Sequence, residues 1–134
     1  VREVTVMFVD LVGFTAMSEA LEPHAVAATL NEFFSEMTDV IFEHQGTLDK
    51  FLGDGLLAVF GAPLAHADHA TSAVRAALRM RQVLRTLNAR RLGDPLEIRT
   101  AVHTGRALTG DIGSPKRRDF TVLGDVVNTA SRME

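Results

Sequence analysis

The chain has 134 residues, 46% of them hydrophobic and 23% charged, with a formal net charge of -3 and no cysteine. That length buries one substantial core without covalent staples, so a single domain over 1–134 is predicted. A disulfide framework and a thiolate metal site are excluded, and the acidic balance gives no reason to expect a nucleic acid or an anionic membrane as partner. No apolar stretch approaches the about 18 residues of a membrane span, so a cytoplasmic location is expected, alone or as the cytosolic part of a larger protein.

In chain order, Val4 to Asp10 (VTVMFVD) is an apolar run ending on an acid, followed by Gly13-Phe14. It predicts a strand with Asp10 at its end. Thr15 to Glu19 reads as a loop entering a helix, with Ser18 as N-cap. From Pro23, apolar residues recur at Val26, Leu30, Phe33, Phe34, Met37 and Ile41, one face of a long amphipathic helix that Gly46 is expected to close. Two short apolar runs then flank Gly53-Asp54-Gly55, a turn signature whose glycines permit φ > 0, which predicts a hairpin with Asp54 at its tip. Pro63 would end its second strand.

A second helix is expected to open at Asp68, with a seam of Ala70, Ala73, Ala77, Met80, Leu84 and Leu87. Its arginines, Arg75 to Arg91, have no interleaved aromatic residues and read as a solvated face. His66 and His69 lack a third ligand nearby in sequence and read as helix-start residues. Leu96 to His103 alternates as a half-buried strand, and a hairpin at Thr104-Gly105 is expected to return through Arg106 to Gly110. Lys116 to Arg118 fall in a loop, Phe120 to Leu123 form a short strand, and Gly124-Asp125 open a helix with Asn128 and Arg132 on one face.

This order predicts an α+β fold, a ferredoxin-like sandwich of the βαββαβ type, with the first strand beside the Asp54 hairpin. Asp10 and Asp54 would then share one edge, where two acids can share metal ions. A carboxylate between two glycines is, by itself, a common surface turn.

The strings FVDLVGFT, KFLGDGLLAVFG, HTGRALTGDIG and FTVLGDVVNTASRME, in this order and spacing, resemble the catalytic domain of class III nucleotide cyclases, over nearly the whole chain. Four separated motifs in register are far more specific than a lone GDG. By that resemblance Asp10 and Asp54 are the metal-binding aspartates and the Leu11 carbonyl adds a ligand, for two divalent ions, Mg²⁺ or Mn²⁺. The segment from Leu11 to Thr15, with Gly13 and Phe14, would run beneath the phosphates. Lys50 and Thr121 match the pair that selects the base: a lysine donor suits adenine N1 and a threonine oxygen can accept from the 6-amino group, which favours ATP over GTP. Threonine at that position resembles the bacterial subclass called class IIIb. Asn128 and Arg132 match the transition-state pair, and Arg106 matches an arginine near the terminal phosphates.

The resemblance further implies a homodimer in which one protomer gives the aspartates and the other gives Lys50, Thr121, Asn128 and Arg132. The chain stops at Met133-Glu134 within a predicted helix, so a domain truncated at its C-terminal end is expected. The activity implied is an adenylate cyclase, converting ATP to 3′,5′-cyclic AMP and pyrophosphate in signal transduction. Two alternatives stand beside it: a non-catalytic cyclase-like module that binds nucleotide or dimerises, and a guanylate cyclase. Retention of Asp10, Lys50, Asp54, Thr121, Asn128 and Arg132 weighs against the first, and Lys50 with Thr121 against the second.

Overall fold

Val4 to Val9 are all buried, Phe8 the least at 5% exposure. A strand covered on both faces carries a continuous apolar run rather than an alternating one, which is the pattern of a central strand. In the computed structural model, which describes residues 2–91, 93–112 and 119–123, β1 (Arg2–Leu11) indeed lies inside the sheet. It is followed by α1 (Phe14–Glu19), α2 (Pro23–Glu43), β2 (Gly46–Leu52), β3 (Gly55–Phe60), α3 (His69–Arg90), β4 (Ile98–Ile112) and β5 (Asp119–Leu123). The strand order is β2-β3-β1-β4-β5, with β1 antiparallel to both β3 and β4. This is the ferredoxin-like βαββαβ order predicted from the sequence, extended by β5.

The two faces of β1 serve different cores. Met7, Val9 and Leu11 pack with Phe33, Met37 and Ile41 of α2 and with Ala73, Met80 and Leu87 of α3. Val4, Val6 and Phe8 join Leu57, Val59 and Ala101 on the opposite face. The α2 seam is the one predicted. In α3 the seam starts on His69, which is buried, while Ala70 is exposed.

Several local expectations are corrected. The turn at Thr104-Gly105 does not form: β4 continues through it, because β1 offers partners as far as Arg2 and Thr104 pairs with Thr5, their hydroxyls sharing a hydrogen bond of 2.7 Å. Beyond Ala107, β4 pairs with β5 instead. Ser18 is no N-cap; that position falls five residues earlier, on a left-handed Gly13, and the Ser18 hydroxyl donates within the helix to the Thr15 carbonyl. Gly46 does not close α2: the helix ends at Glu43 with His44 as its C-cap, the His44 amide bonds back to Val40 and Ile41, and Gln45 takes the left-handed position. Gly46 is instead a packing glycine, since a Cβ there would lie 2.6 Å from the Phe60 ring and 2.8 Å from Ile41. Asp68 flanks α3 but makes no side-chain cap bond. β3 ends at Phe60, before Pro63 is reached. The predicted loop at Lys116 to Arg118 and the helix carrying Asn128 and Arg132 lie outside the described residues. Among the described residues, no helix is long and apolar enough to cross a membrane.

Candidate active site

Asp10 and Asp54 are brought to one end of the sheet by pairing rather than by chain proximity. The β1–β3 register sets Asp10 opposite Gly55, and the Leu11 amide donates to the Asp54 carbonyl at 3.3 Å. Asp54 occupies the turn between β2 and β3, as predicted. The two flanking glycines do different jobs, however. Gly53 adopts φ 63, the left-handed value the turn requires. Gly55 is there for close approach: a Cβ on it would stand 2.7 Å from the Val9 carbonyl oxygen and 3.0 Å from the Asp10 Cβ.

Asp10 continues the alternation of Val4, Val6 and Phe8, so it lies on the sheet face away from α2 and α3. Its side chain is largely covered, and Oδ1 is buried without a hydrogen-bond partner among the described residues. The neighbouring cation is Arg99, the cross-strand partner of Asp10 on β4, with Nε at 3.6 Å from Oδ1. Sequence reasoning missed Arg99, because strand alternation placed it on a face without saying what stood opposite. Its strand is anchored by Asn88 of α3, whose amide both donates to the Leu96 carbonyl (2.9 Å) and accepts from the Leu96 amide (2.8 Å).

A hard carboxylate oxygen left without a hydrogen bond, beside a second carboxylate-bearing turn, fits a divalent cation. Among the described residues no group of three His, Cys, Asp or Glu could hold a metal. Asp10 and Asp54 would therefore need backbone, substrate or water oxygens to complete a coordination shell, which is the habit of Mg²⁺ at nucleotide sites.

From Asp10 the chain leaves through Leu11, whose side chain is in the core, and Val12, whose amide donates to the Glu97 carbonyl (2.8 Å). Gly13 follows at φ 68 with open space where a Cβ would stand. The Phe14 side chain is buried in the core, so this segment can offer a ligand backbone but not the Phe14 ring.

Lys50 is half-exposed in β2, with Nζ 3.5 Å from Oδ2 of Asp49. It pairs with Leu57, a residue of the helix-free face that also carries Asp10. Asp49 is a second residue that the sequence reading passed over. Its side chain has no exposed surface and neither oxygen is hydrogen-bonded among the described residues. Burial pushes its carboxyl pKa up, and the Lys50 charge pulls part of the way back. Thr121 is opposite Gly110 in the β4–β5 pair, and β5, though not a hydrogen-bonded neighbour of β2, makes a small contact with that strand, which carries Lys50. Arg106 is elsewhere: it is exposed and pairs with Glu3, near the opposite end of β1 from Asp10. Asn128 and Arg132 lie outside the described residues. His66 and His69 do separate work, the first bonding Ser72 (2.9 Å) and the second Thr5 (2.7 Å) and Glu3 (3.2 Å).

The model of the adenylate and guanylate cyclase catalytic domain matches residues 1–134. The chain belongs to that family. Adenylate cyclase 1 of Rhizobium meliloti is 41% identical over 99% of the chain, which spans 20% of that protein's length. The crystal structure of the guanylyl cyclase Cya2 is 43% identical, with a TM-score of 0.93 over 99% of this chain and 69% of that one. The adenylyl cyclase CyaB from P. aeruginosa is 38% identical, with a TM-score of 0.90 over 98% of this chain and 70% of that one. The fold described above is thus that of class III cyclase catalytic domains. Similar cyclases with either purine in their names stand at about the same identity, so base preference has to be argued from residues.

Proposed function

We propose that this single domain is an adenylate cyclase acting as a homodimer, converting ATP to 3′,5′-cyclic AMP and pyrophosphate in cytoplasmic signalling. The observation that carries the proposal is the Asp10–Gly55 register, which holds both aspartates at one sheet end and leaves an Asp10 oxygen unsatisfied. Asp10 and Asp54, with the Leu11 carbonyl, would hold two divalent ions, Mg²⁺ or Mn²⁺, which lower the pKa of the attacking 3′ hydroxyl and neutralise phosphate charge.

The remaining roles fall to the chain's own groups. The backbone at Gly13, open on its Cβ side, would lie against the phosphates. Lys50 would donate to adenine N1, and Thr121 would accept from the 6-amino group. Guanine presents a donor and a carbonyl at those positions and would leave both protein groups mispaired, so ATP is preferred. Asn128 would orient the ribose, and Arg132 would stabilise charge gathering at the α-phosphate. Arg106, which matches the family's terminal-phosphate arginine, would have to approach the phosphates from a position well away from Asp10.

A dimer is supported by Phe51 and Leu52, which expose 49% and 43% of their surface beside the hairpin tip. Among similar structures is a non-canonical dimeric guanylyl cyclase domain of a fusion protein from Blastocladiella emersonii. The test is to incubate the protein carrying this domain with ATP and with GTP under Mn²⁺ and under Mg²⁺. Cyclic AMP should form with the higher kcat/KM. A preference for GTP would overturn the base assignment, and nucleotide binding without any cyclic product would favour a regulatory module.

A further inference from the structure

In a regular strand, neighbouring residues point to opposite faces and their side chains cannot pair. Asp49 and Lys50 break that rule. The β2–β3 register runs Leu48 to Ala58 and then Lys50 to Leu57, so Asp49 is an extra, unpaired residue in a β-bulge. The bulge lets two consecutive side chains meet, and Asp49 Oδ2 stands 3.5 Å from Lys50 Nζ.

Packing does not account for this arrangement. The Asp49 side chain is fully covered and has no hydrogen-bond donor among the described residues. An apolar residue of similar size would be cheaper to bury there than a carboxylate without donors. On the following residue, the Phe51 ring lies 4.5 Å from that of Phe34, which pins the strand immediately beyond Lys50 to α2. The bulge is thus held on one side by an aromatic contact and closed on the other by the ion pair.

We infer that Asp49 is a positioning residue for base recognition, its buried carboxylate pairing with the Lys50 ammonium so that the lysine N–H groups are aimed at the purine edge. The inference rests on the assignment of Lys50 to the base. A free lysine ammonium is a hydrated point charge on a flexible stem with many rotamers to lose. Tethering it before the nucleotide arrives removes part of the ordering cost of binding. Asp49 touches neither substrate nor reacting atoms and acts only through Lys50.

The test is a double-mutant cycle on the full protein, reading kcat and KM for ATP and GTP in wild type, Asp49→Asn, Lys50→Ala and the double variant. Asp49→Asn should raise KM for ATP about tenfold while leaving kcat within about twofold, and should lower the ATP-to-GTP ratio of kcat/KM. The double variant should be no worse than Lys50→Ala. Independent, multiplying losses would mean that Asp49 is only structural and would overturn the inference. If Lys50→Ala loses base discrimination and Asp49→Asn keeps it, the anchor alone is refuted. If Lys50→Ala keeps discrimination, Lys50 does not read the base and the anchor falls with it. A second measurement does not depend on how Asn is tolerated at the buried position. Removing the half-exposed Lys50 side chain should move the Asp49 carboxyl titration, followed by ¹³C NMR, to higher pH. An unchanged titration would refute the ion pair.

Discussion

Gly55→Ala tests the link between backbone packing and the aspartate pair. The added methyl would sit 2.7 Å from the Val9 carbonyl oxygen and 3.0 Å from the Asp10 Cβ, where ordinary contact begins near 3.4 Å. Relief therefore requires the β1–β3 spacing at Asp10 to open by roughly 0.7 Å, and the nearest atom is backbone in a strand paired on both sides. Overpacking of this kind costs about 1–3 kcal/mol, offset by about 0.4–1 kcal/mol from the reduced freedom of the unfolded chain, so a net loss of about 1–2 kcal/mol is expected. The effect on turnover should be larger. A displacement approaching 1 Å in groups that position reactants costs about 100-fold, and here the displaced residue is Asp10 itself. Gly53→Ala is the control: it strains a φ of 63 at a cost of about 1–2 kcal/mol but its Cβ meets open space and pushes nothing toward Asp10. Thermal melts and kcat/KM on both variants decide the matter. If Gly55→Ala keeps wild-type kcat/KM, or if the two variants lose activity in the same proportion as stability, the close approach at Gly55 has no bearing on the site.

Other expectations can be checked in the same assays. Arg99→Gln should lower stability without divalent ions by less than about 1 kcal/mol, because Arg99 is 59% exposed. Added Mn²⁺ should shrink the deficit; identical responses of variant and wild type would show that Arg99 does not compensate Asp10. Lys50→Glu with Thr121→Cys should lower the ratio of kcat/KM for ATP over GTP, since the new groups complement guanine, and an unchanged ratio would remove both residues from base selection. Inactive Asp54→Ala and Arg132→Ala proteins, mixed under subunit exchange, should recover up to about a quarter of wild-type activity through the intact site of each heterodimer. A mixture that stays inactive despite demonstrated exchange would mean that each site is built within one protomer.

The central strand, the two long helices and the Asp54 hairpin were legible because each rests on a periodic apolar pattern or on turn chemistry that acts locally. Asp10 and Asp54 were legible as a pair only through topology, and the antiparallel register of β1 with β3 supplies that pairing. What escaped the sequence depended on partners far along the chain. Thr104-Gly105 has the residues of a turn, yet β1 is long enough to hold β4 straight through it. Gly55 looked like a turn glycine because a glycine kept for close approach carries the same letter. Arg99 is one of many strand arginines until Asp10 is seen opposite it. Asp49 gave no signal because a bulge, which lets it meet Lys50, breaks the alternation by which strand faces are assigned. Asp68 and Ser18 had capping side chains, but Asp68 makes no side-chain cap bond and Ser18 lies inside α1, its hydroxyl donating to the Thr15 carbonyl.

The measurement that bears most directly on the whole account is conversion of α-³²P-ATP to cyclic AMP by the protein carrying this domain, in Mn²⁺, for wild type and Asp54→Ala side by side. Asp54 is a turn residue whose carboxylate makes no side-chain hydrogen bond among the described contacts, so circular dichroism should report an unchanged fold. Wild type should release cyclic AMP and pyrophosphate in equal amounts, and Asp54→Ala should release neither above background. Wild-type turnover in the Asp54→Ala protein would make Asp54 an ordinary surface turn residue and contradict the metal assignment.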